Sequence, residues 1–286
     1  MFRQFLFLSL VNLTMFYASA HAQSVNLYDR GKYLMEGPVA CGNCHVQRGA
    51  KGEPLLDKGL SGGMVFDEPA FKAVASNITP DKETGIGNWT DQQLEKAIRE
   101  GIRPNGKVIG PPMPIEFYRK MSDEDLKAII VYMRAQPAVR NQVPKSIYNI
   151  PLPANYGPTI TQKISTPSQK NTKEYGEYLT AISHCMDCHN PRNEKGQLVW
   201  SKLGSGGQQF KGPWGISVSR NLTPHEYGLK NWTNQEIATA IQNGIDRSGQ
   251  NYRPPMAFSW YKNINKNDMD AIIQYLRSLK PLSGGN

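Results

Sequence analysis

Cysteine is scarce in this chain, and so are long apolar runs and blocks of like charge. Only four of the 286 residues are Cys, too few for a scaffold of this length stapled by disulfides. Beyond the N-terminus no stretch approaches the ~18 apolar residues that a membrane-crossing helix needs, so any membrane association is expected to be peripheral or through a partner. Strand-like alternation of apolar and polar residues is also rare, which points away from a sheet-based fold. Lys and Arg outnumber Asp and Glu by 33 to 24, yet no run of three basic residues occurs. A scattered positive surplus suits an acidic protein or an anionic surface, or is simply a solvated exterior, and no nucleic-acid partner is expected.

The N-terminus is read first because it sets the compartment. Arg3 precedes the apolar run "FLFLSLVNLTMFY", followed by "ASAHAQS" with Ala20 and Ala22 in an A-x-A arrangement. This is the layout of a secretory signal peptide, residues 1–22, with an uncleaved anchor as the alternative. The mature protein is expected to be exported and soluble, outside the cytoplasm.

The four cysteines fall into two copies of one pattern. Cys41, Cys44 and His45 in "VACGNCHVQRG" recur as Cys185, Cys188 and His189 in "SHCMDCHNPRN", 144 positions later. The likeness extends well beyond them. "SNITPDKETGIGNWTDQQLEKAIREGI" (76–102) matches "SRNLTPHEYGLKNWTNQEIATAIQNGI" (219–245), "PPMP" (111–114) matches "PPMA" (254–257), and "MSDEDLKAIIVYMRAQPAV" (121–139) matches "INKNDMDAIIQYLRSLKPL" (264–282). An internal repeat of this length predicts two units of one design. Their expected bounds are 23–140 and 169–286, joined by residues 141–168, where Pro144, Pro151, Pro153, Pro158 and Pro167 favour an extended connector lying along a domain surface.

Each unit is expected to be all-α. Thr90 with Gln93, and Thr233 with Glu236, form capping-box signatures at the start of apolar stripes with helical spacing. A second helix is predicted from Ser122 to about Arg134, with its counterpart before Pro281; shorter helices are predicted from Asp29 to about Glu36 and from Thr172 to about Ala181.

C-x-x-C-H is the attachment signature of a c-type haem. Two thiols three positions apart add to the two vinyl groups of one porphyrin, and the adjacent imidazole is delivered to one face of the iron. A thioredoxin-like pair needs a βαβ setting that is not visible here. A four-thiolate zinc or iron–sulfur site leaves both histidines unexplained. Structural disulfides require no His at the same offset twice. Two covalently attached haems are therefore expected, and they use every cysteine. For the second axial ligands the repeat selects Met113, 68 positions after His45, and Met256, 67 after His189, both in proline-rich loops. Met64 aligns with Gln208, and Met121 and Met133 align with Ile264 and Leu276, so these three read as ordinary apolar residues.

The CxxCH motifs, "NITPDKETGIGNWTD", "PPMP" and "MSDEDLKAIIVYMRAQP" together resemble the cytochrome c family, in particular the cytochrome c subunits of periplasm-facing alcohol, aldehyde and gluconate dehydrogenases. The resemblance implies two tandem class I-type cytochrome c domains, with Cys41, Cys44, His45 and Met113 at one haem and Cys185, Cys188, His189 and Met256 at the other. It also implies a periplasmic location and electron transfer from a dehydrogenase or other donor to a respiratory acceptor such as a terminal oxidase. Such subunits typically carry three haem domains, where this sequence has two CxxCH motifs. A di-haem redox enzyme, such as a thiosulfate dehydrogenase or a cytochrome c peroxidase, is the alternative; it requires one iron to open or to take a weak ligand.

Overall fold

The computed structural model describes residues 26–50, 52–212 and 214–284; the expected signal segment lies outside them. Helix α1 covers 26–36. It is followed by α2 (Gly42–His45), strands β1 (Val65–Glu68) and β2 (Phe71–Val74), and helices α3 (Asp91–Arg99), α4 (Ile115–Tyr118) and α5 (Asp123–Arg134). After β3 (Ile147–Tyr148) the same order returns: α6 (Thr172–Ile182), α7 (Cys185–His189), β4 (Gln209–Gly212), β5 (Gly215–Val218), α8 (Asn234–Asn243), α9 (Phe258–Tyr261) and α10 (Lys266–Arg277).

The expectation of an all-α chain is corrected by two small sheets. One is ordered β1-β2-β3 and the other β4-β5. Each hairpin strand has four residues, too short for period-two alternation to stand out from its surroundings. The fold is nevertheless mostly helical. Both capping boxes are formed: the Thr90 and Thr233 side chains accept from the N–H three residues on, and Gln93 and Glu236 reach back to the cap N–H groups. The Ser122 and Asn265 side chains likewise accept from the N–H three residues on, at the starts of α5 and α10.

Glycine sets how closely the long helices cross. A Cβ on Gly31 of α1 would lie 2.0 Å from the Ala128 carbonyl oxygen of α5, and one on Gly176 of α6 would lie 2.0 Å from that of Ala271 of α10. Only a residue without a side chain allows backbone contact this close. Around these crossings Leu34, Leu126, Ile129, Leu179, Ile182 and Ile272 are at most 2% exposed, and buried residues of both halves merge in one apolar cluster.

The repeated N-x-T and N-W-T blocks are structural ties. Asn77 Oδ1 accepts from the Thr79 N–H and hydroxyl at 2.9 and 2.7 Å, while its Nδ2 donates to the Val139 carbonyl at 2.8 Å. Asn221, Thr223 and the Leu282 carbonyl repeat this at 2.8, 2.7 and 2.7 Å. The Trp89 and Trp232 carbonyls accept from Arg134 and Arg277, the last residues of α5 and α10.

The halves exchange tyrosines. Tyr33 of α1 donates its hydroxyl proton to Asp268 of α10 at 2.6 Å, and Tyr178 of α6 donates to Asp125 of α5 at 2.6 Å. Each tyrosine oxygen also meets the N-cap residue of the helix it reaches, Asn265 Nδ2 at 2.9 Å and Ser122 Oγ at 3.1 Å. Both carboxylates are almost fully buried. Burial, then the neighbouring carboxylate, push both phenols up, so each remains a donor at every working pH. Residues of the 141–168 segment run over the first half, with Tyr148 donating to the Pro111 carbonyl at 3.1 Å and Tyr156 to that of Ile109 at 2.8 Å.

A hydrogen bond to a buried charge contributes about 1.5–3 kcal/mol. Tyr178→Phe is therefore expected to lower the unfolding free energy by about 2 kcal/mol, with Tyr33→Phe losing a comparable amount. Denaturant titration of the single and double variants checks this; losses below about 0.5 kcal/mol in both would show that the exchange does not hold the halves together.

Candidate metal centres

Each CxxCH sequence forms one short helical turn. Cys41 is the N-terminal flank of α2 and the segment ends on His45; α7 begins at Cys185 and ends on His189. Residues three apart share a helix face, so both thiols of a pair project to one side with the imidazole beside them. All four cysteines are unbridged and half-buried. Burial pushes the thiols of Cys41, Cys44 and Cys185 up to about 12, 11 and 12, and raises Cys188 as well. These are neutral thiols on an apolar surface, not the activated thiolates of a redox dithiol.

The histidines are oriented alike. Nδ1 of His45 lies 2.7 Å from the Ser76 carbonyl oxygen, and Nδ1 of His189 lies 2.7 Å from that of Arg220. A carbonyl only accepts, so Nδ1 carries the hydrogen and Nε2 keeps its lone pair, as a metal ligand requires. Burial lowers both imidazole pKa values, which favours that neutral form.

Two arginines outside the expected ligand set brace the turns. Arg48 donates to the carbonyl and side-chain oxygens of Asn43 inside the first motif, and Arg192 donates to Asp187 Oδ1 at 2.6 Å inside the second. Both stand three residues after the motif histidine, in "CHVQR" and "CHNPR", so a signal for them was present in the repeat. Arg103, half-buried close to His45, donates to Ser76 Oγ at 3.2 Å. Its counterpart in the second half is Asp246, so this cation belongs to the first site alone.

Met113 and Met256 are half-buried against the apolar cluster. Each follows a cis Pro-Pro pair, Pro111-Pro112 or Pro254-Pro255, and precedes a short helix, α4 or α9. Those helices carry Tyr118, which donates to the Val39 carbonyl at 3.4 Å, and Tyr261, which donates to that of Ser183 at 2.9 Å. Each methionine loop is thus tied to the segment leading into the CxxCH turn of its own half.

The two centres share an interior. A Cβ on Gly42 would lie 2.5 Å from Trp260 Nε1 of the other half, and the Arg48 guanidinium lies 5.4 Å from a Trp260 ring centroid. Asp187 of the second motif adds to burial in raising the Cys44 thiol and the Tyr118 phenol of the first half. His184 lies at this junction in the left-handed region, with φ 45°, where the first half has Ala40 at φ 51°. Its ring meets Tyr118 edge-on at 6.0 Å, and burial lowers its pKa to about 4. Among the described residues, no group of three or more His, Cys, Asp or Glu side chains gathers around one point as ion ligands. The donor sets that exist are one imidazole and one thiol pair on each turn, with a thioether loop tied to the same half, and these fit a c-type haem.

Residues 174–280 match the cytochrome c family model. A nicotinate dehydrogenase subunit of Pseudomonas putida is 30% identical over 90% of this chain and 22% of its own length. The cytochrome c subunit of a quinone-dependent alcohol dehydrogenase of Gluconobacter oxydans is 28% identical over 94% of this chain and 58% of its own length. A diheme cytochrome c-type protein of Cereibacter sphaeroides is 29% identical over 72% of this chain and 69% of its own length. The chain thus spans roughly a fifth to three fifths of the first two relatives.

His184 makes acid sensitivity testable. Its folded pKa lies below the free value of 6.5, so the unfolded chain binds the extra proton. The stabilisation is complete above pH 6.5 and is lost as pH falls toward 4. At about 1.4 kcal/mol per unit, the wild type is expected to lose about 2 kcal/mol more than His184→Ala between pH 7 and pH 4.5. Ala40 already occupies the equivalent backbone conformation, so the replacement is tolerated sterically. Equal losses in both proteins, measured by denaturant midpoints, would remove His184 as the sensitive group.

Proposed function

We propose that this chain, which carries a c-type cytochrome domain homologous to the cytochrome c subunits of alcohol, fructose and gluconate dehydrogenases, is a di-haem electron-transfer protein. Its two tandem domains span 23–140 and 169–286, with 141–168 as the connector. It is exported to the periplasm after removal of residues 1–22. The electron donor is a dehydrogenase or another periplasmic redox protein, and the electrons leave toward a respiratory acceptor.

The observation that carries the reading is the duplication of one site geometry. Both histidines are held through Nδ1 at 2.7 Å by a carbonyl 31 residues further on. Cys41 and Cys44 would hold one haem and Cys185 and Cys188 the other, through thioether bonds; His45 and His189 would present Nε2, and Met113 and Met256 a thioether sulfur, to the two faces of each iron. A haem held in this way supplies one-electron redox chemistry at a potential raised by the soft sulfur ligand. The protein fixes the imidazole tautomer, braces each turn through Arg48 or Arg192, and surrounds both turns with apolar side chains that exclude water. Because the two methionine loops are built alike, nothing in them singles out one iron for substrate. This favours an electron carrier over a di-haem enzyme.

Pyridine haemochrome and intact mass of the protein matured with haem are expected to give two covalent haems per chain. Cys41→Ala or Cys188→Ala should weaken one attachment each; any other wild-type stoichiometry ends the assignment. Met113→Ala and Met256→Ala should each remove about half of the far-red charge-transfer band of His/Met ferric haem, lower one potential and open one iron to carbon monoxide, whereas Met64→Ala should leave the band intact. Stoichiometric carbon monoxide binding by the wild type would instead move the reading to a di-haem enzyme.

A further inference from the structure

The two hairpins match in register but not in surroundings. β1 and β4 begin 144 residues apart, as do β2 and β5, and each pair is antiparallel, with Val65 opposite Val74 and Gln209 opposite Val218. Along the outer edge of β2 lies β3, pairing Phe71 with Tyr148 and Lys72 with Ile147. On either side of it the Val74 N–H donates to Ser146 Oγ at 2.9 Å, and the Asn149 N–H donates to the Ala70 carbonyl at 2.9 Å. Among the described residues no strand lies along the matching edge of β5. One residue type at one register measures the difference: Val74 is 9% exposed and Val218 is 38% exposed. Ile216, on the same face as Val218, is 51% exposed.

Peptide groups alternate in direction along a strand. The outward N–H of Val74 therefore has counterparts in those of Val218 and Ile216. An open edge with two outward donors and two exposed aliphatic side chains is a template for another extended chain. The first half shows what such an edge accepts in this fold, namely a proline-flanked extended segment.

Charge narrows the occupant. Residues 51–81 hold five acidic and three basic residues, whereas residues 195–225 hold Lys195, Lys202, Lys211 and Arg220 and no acid. Lys211 lies directly across from Ile216 on the exposed face. Arg253 stands where the first half has Gly110; its Nη1 lies 3.3 Å from the Cβ position of Gly215, whereas Gly110 is packed by Tyr148 and Leu152 of the connector. The place that connector side chains fill in the first half thus carries a cation in the second. A second copy of this chain, which is itself positively charged overall, is repelled from such an edge.

We propose that the outer edge of β5 receives an extended acidic segment of a partner polypeptide. That segment adds antiparallel to β5, as β3 adds to β2, and its carboxylates meet Lys211 and Arg253. This edge adjoins the Met256 loop, since Ser217 Oγ of β5 donates to the Pro254 carbonyl at 2.6 Å, and it does not depend on which redox partner supplies the electrons.

The test uses the full haem-loaded chain and a fluorescein-labelled peptide of residues 143–152 carrying Lys145→Glu and Asn149→Glu. Saturable binding is expected at low ionic strength, with slowed hydrogen exchange in 209–218 and none gained in 65–74, where β3 already occupies the edge. Val218→Pro removes an outward N–H that the hairpin itself does not use, and should weaken binding about ten-fold or more. Lys211→Glu should weaken it several-fold, a difference that shrinks at high salt; this variant decides the matter if Val218→Pro fails to fold. Absence of protection in 209–218, or binding unchanged in the folded variants, overturns the proposal. So does a concentration-dependent dimer of the chain alone that Lys211→Glu abolishes, since the edge would then serve a second copy.

Discussion

The hydrogen bond from each motif histidine to a backbone carbonyl is the constraint on which the rest of each site depends. It links a short helical turn to a loop 31 residues away, at Ser76 in one half and Arg220 in the other. The residue after each of those carbonyls is the asparagine of the N-x-T tie, whose amide reaches the chain just beyond α5 or α10. The imidazole, the loop and the end of the last helix therefore move as one body. An imidazole free to rotate would offer either nitrogen, whereas one held at Nδ1 offers only Nε2. This explains why the N-x-T-P block recurs with the CxxCH motif although none of its side chains belongs to the ligand set.

Much of the fold was legible because it is written twice. Thr90 and Thr233 cap equivalent helices with equivalent partners, and Ser122 starts α5 where the apolar spacing places it. The motif cysteines and histidines lie on single turns, so local spacing reports their arrangement directly. The hairpins escaped because four-residue strands carry too little pattern and owe their existence to a tight turn and a partner strand. The tyrosine exchange escaped for a different reason. Tyr33 and Asp268 are 235 positions apart, and no local periodicity encodes a contact made only when two halves meet. Arg48 and Arg192 were readable as a repeated residue, but not as braces for the turn, since that role depends on a side chain folding back onto its own motif.

Duplication also exposes where the halves diverge. Gly110 gives way to Arg253 and Arg103 to Asp246 in loops, Ala40 to His184 at the junction of the halves, and Arg30 to Tyr175 beside the glycine of each long-helix crossing. At the crossings Gly31 and Gly176 are both retained, because any Cβ there would collide with a carbonyl. Close backbone contact fixes the glycine itself, whereas its neighbour and the loops accept a change of side chain. The same division separates what holds each site from what distinguishes its surroundings.

The exchange between halves carries its own asymmetry. Asp125 and Asp268 are both almost completely buried, and an unpaired buried carboxylate costs several kcal/mol. Asp125 has a forked partner in Arg30, at 2.8 and 2.9 Å, besides Tyr178. In the second half the residue equivalent to Arg30 is Tyr175, so Asp268 has no matching guanidinium. Arg30 instead lies 5.6 Å from the centroid of Tyr33, whose hydroxyl donates to Asp268. One cation therefore faces both buried acids, directly at Asp125 and through the polarised phenol at Asp268. With one guanidinium between two buried carboxylates the junction keeps a surplus of negative charge; burial, together with that charge, holds both tyrosines in their donor form, and so two copies of one design are joined without being identical.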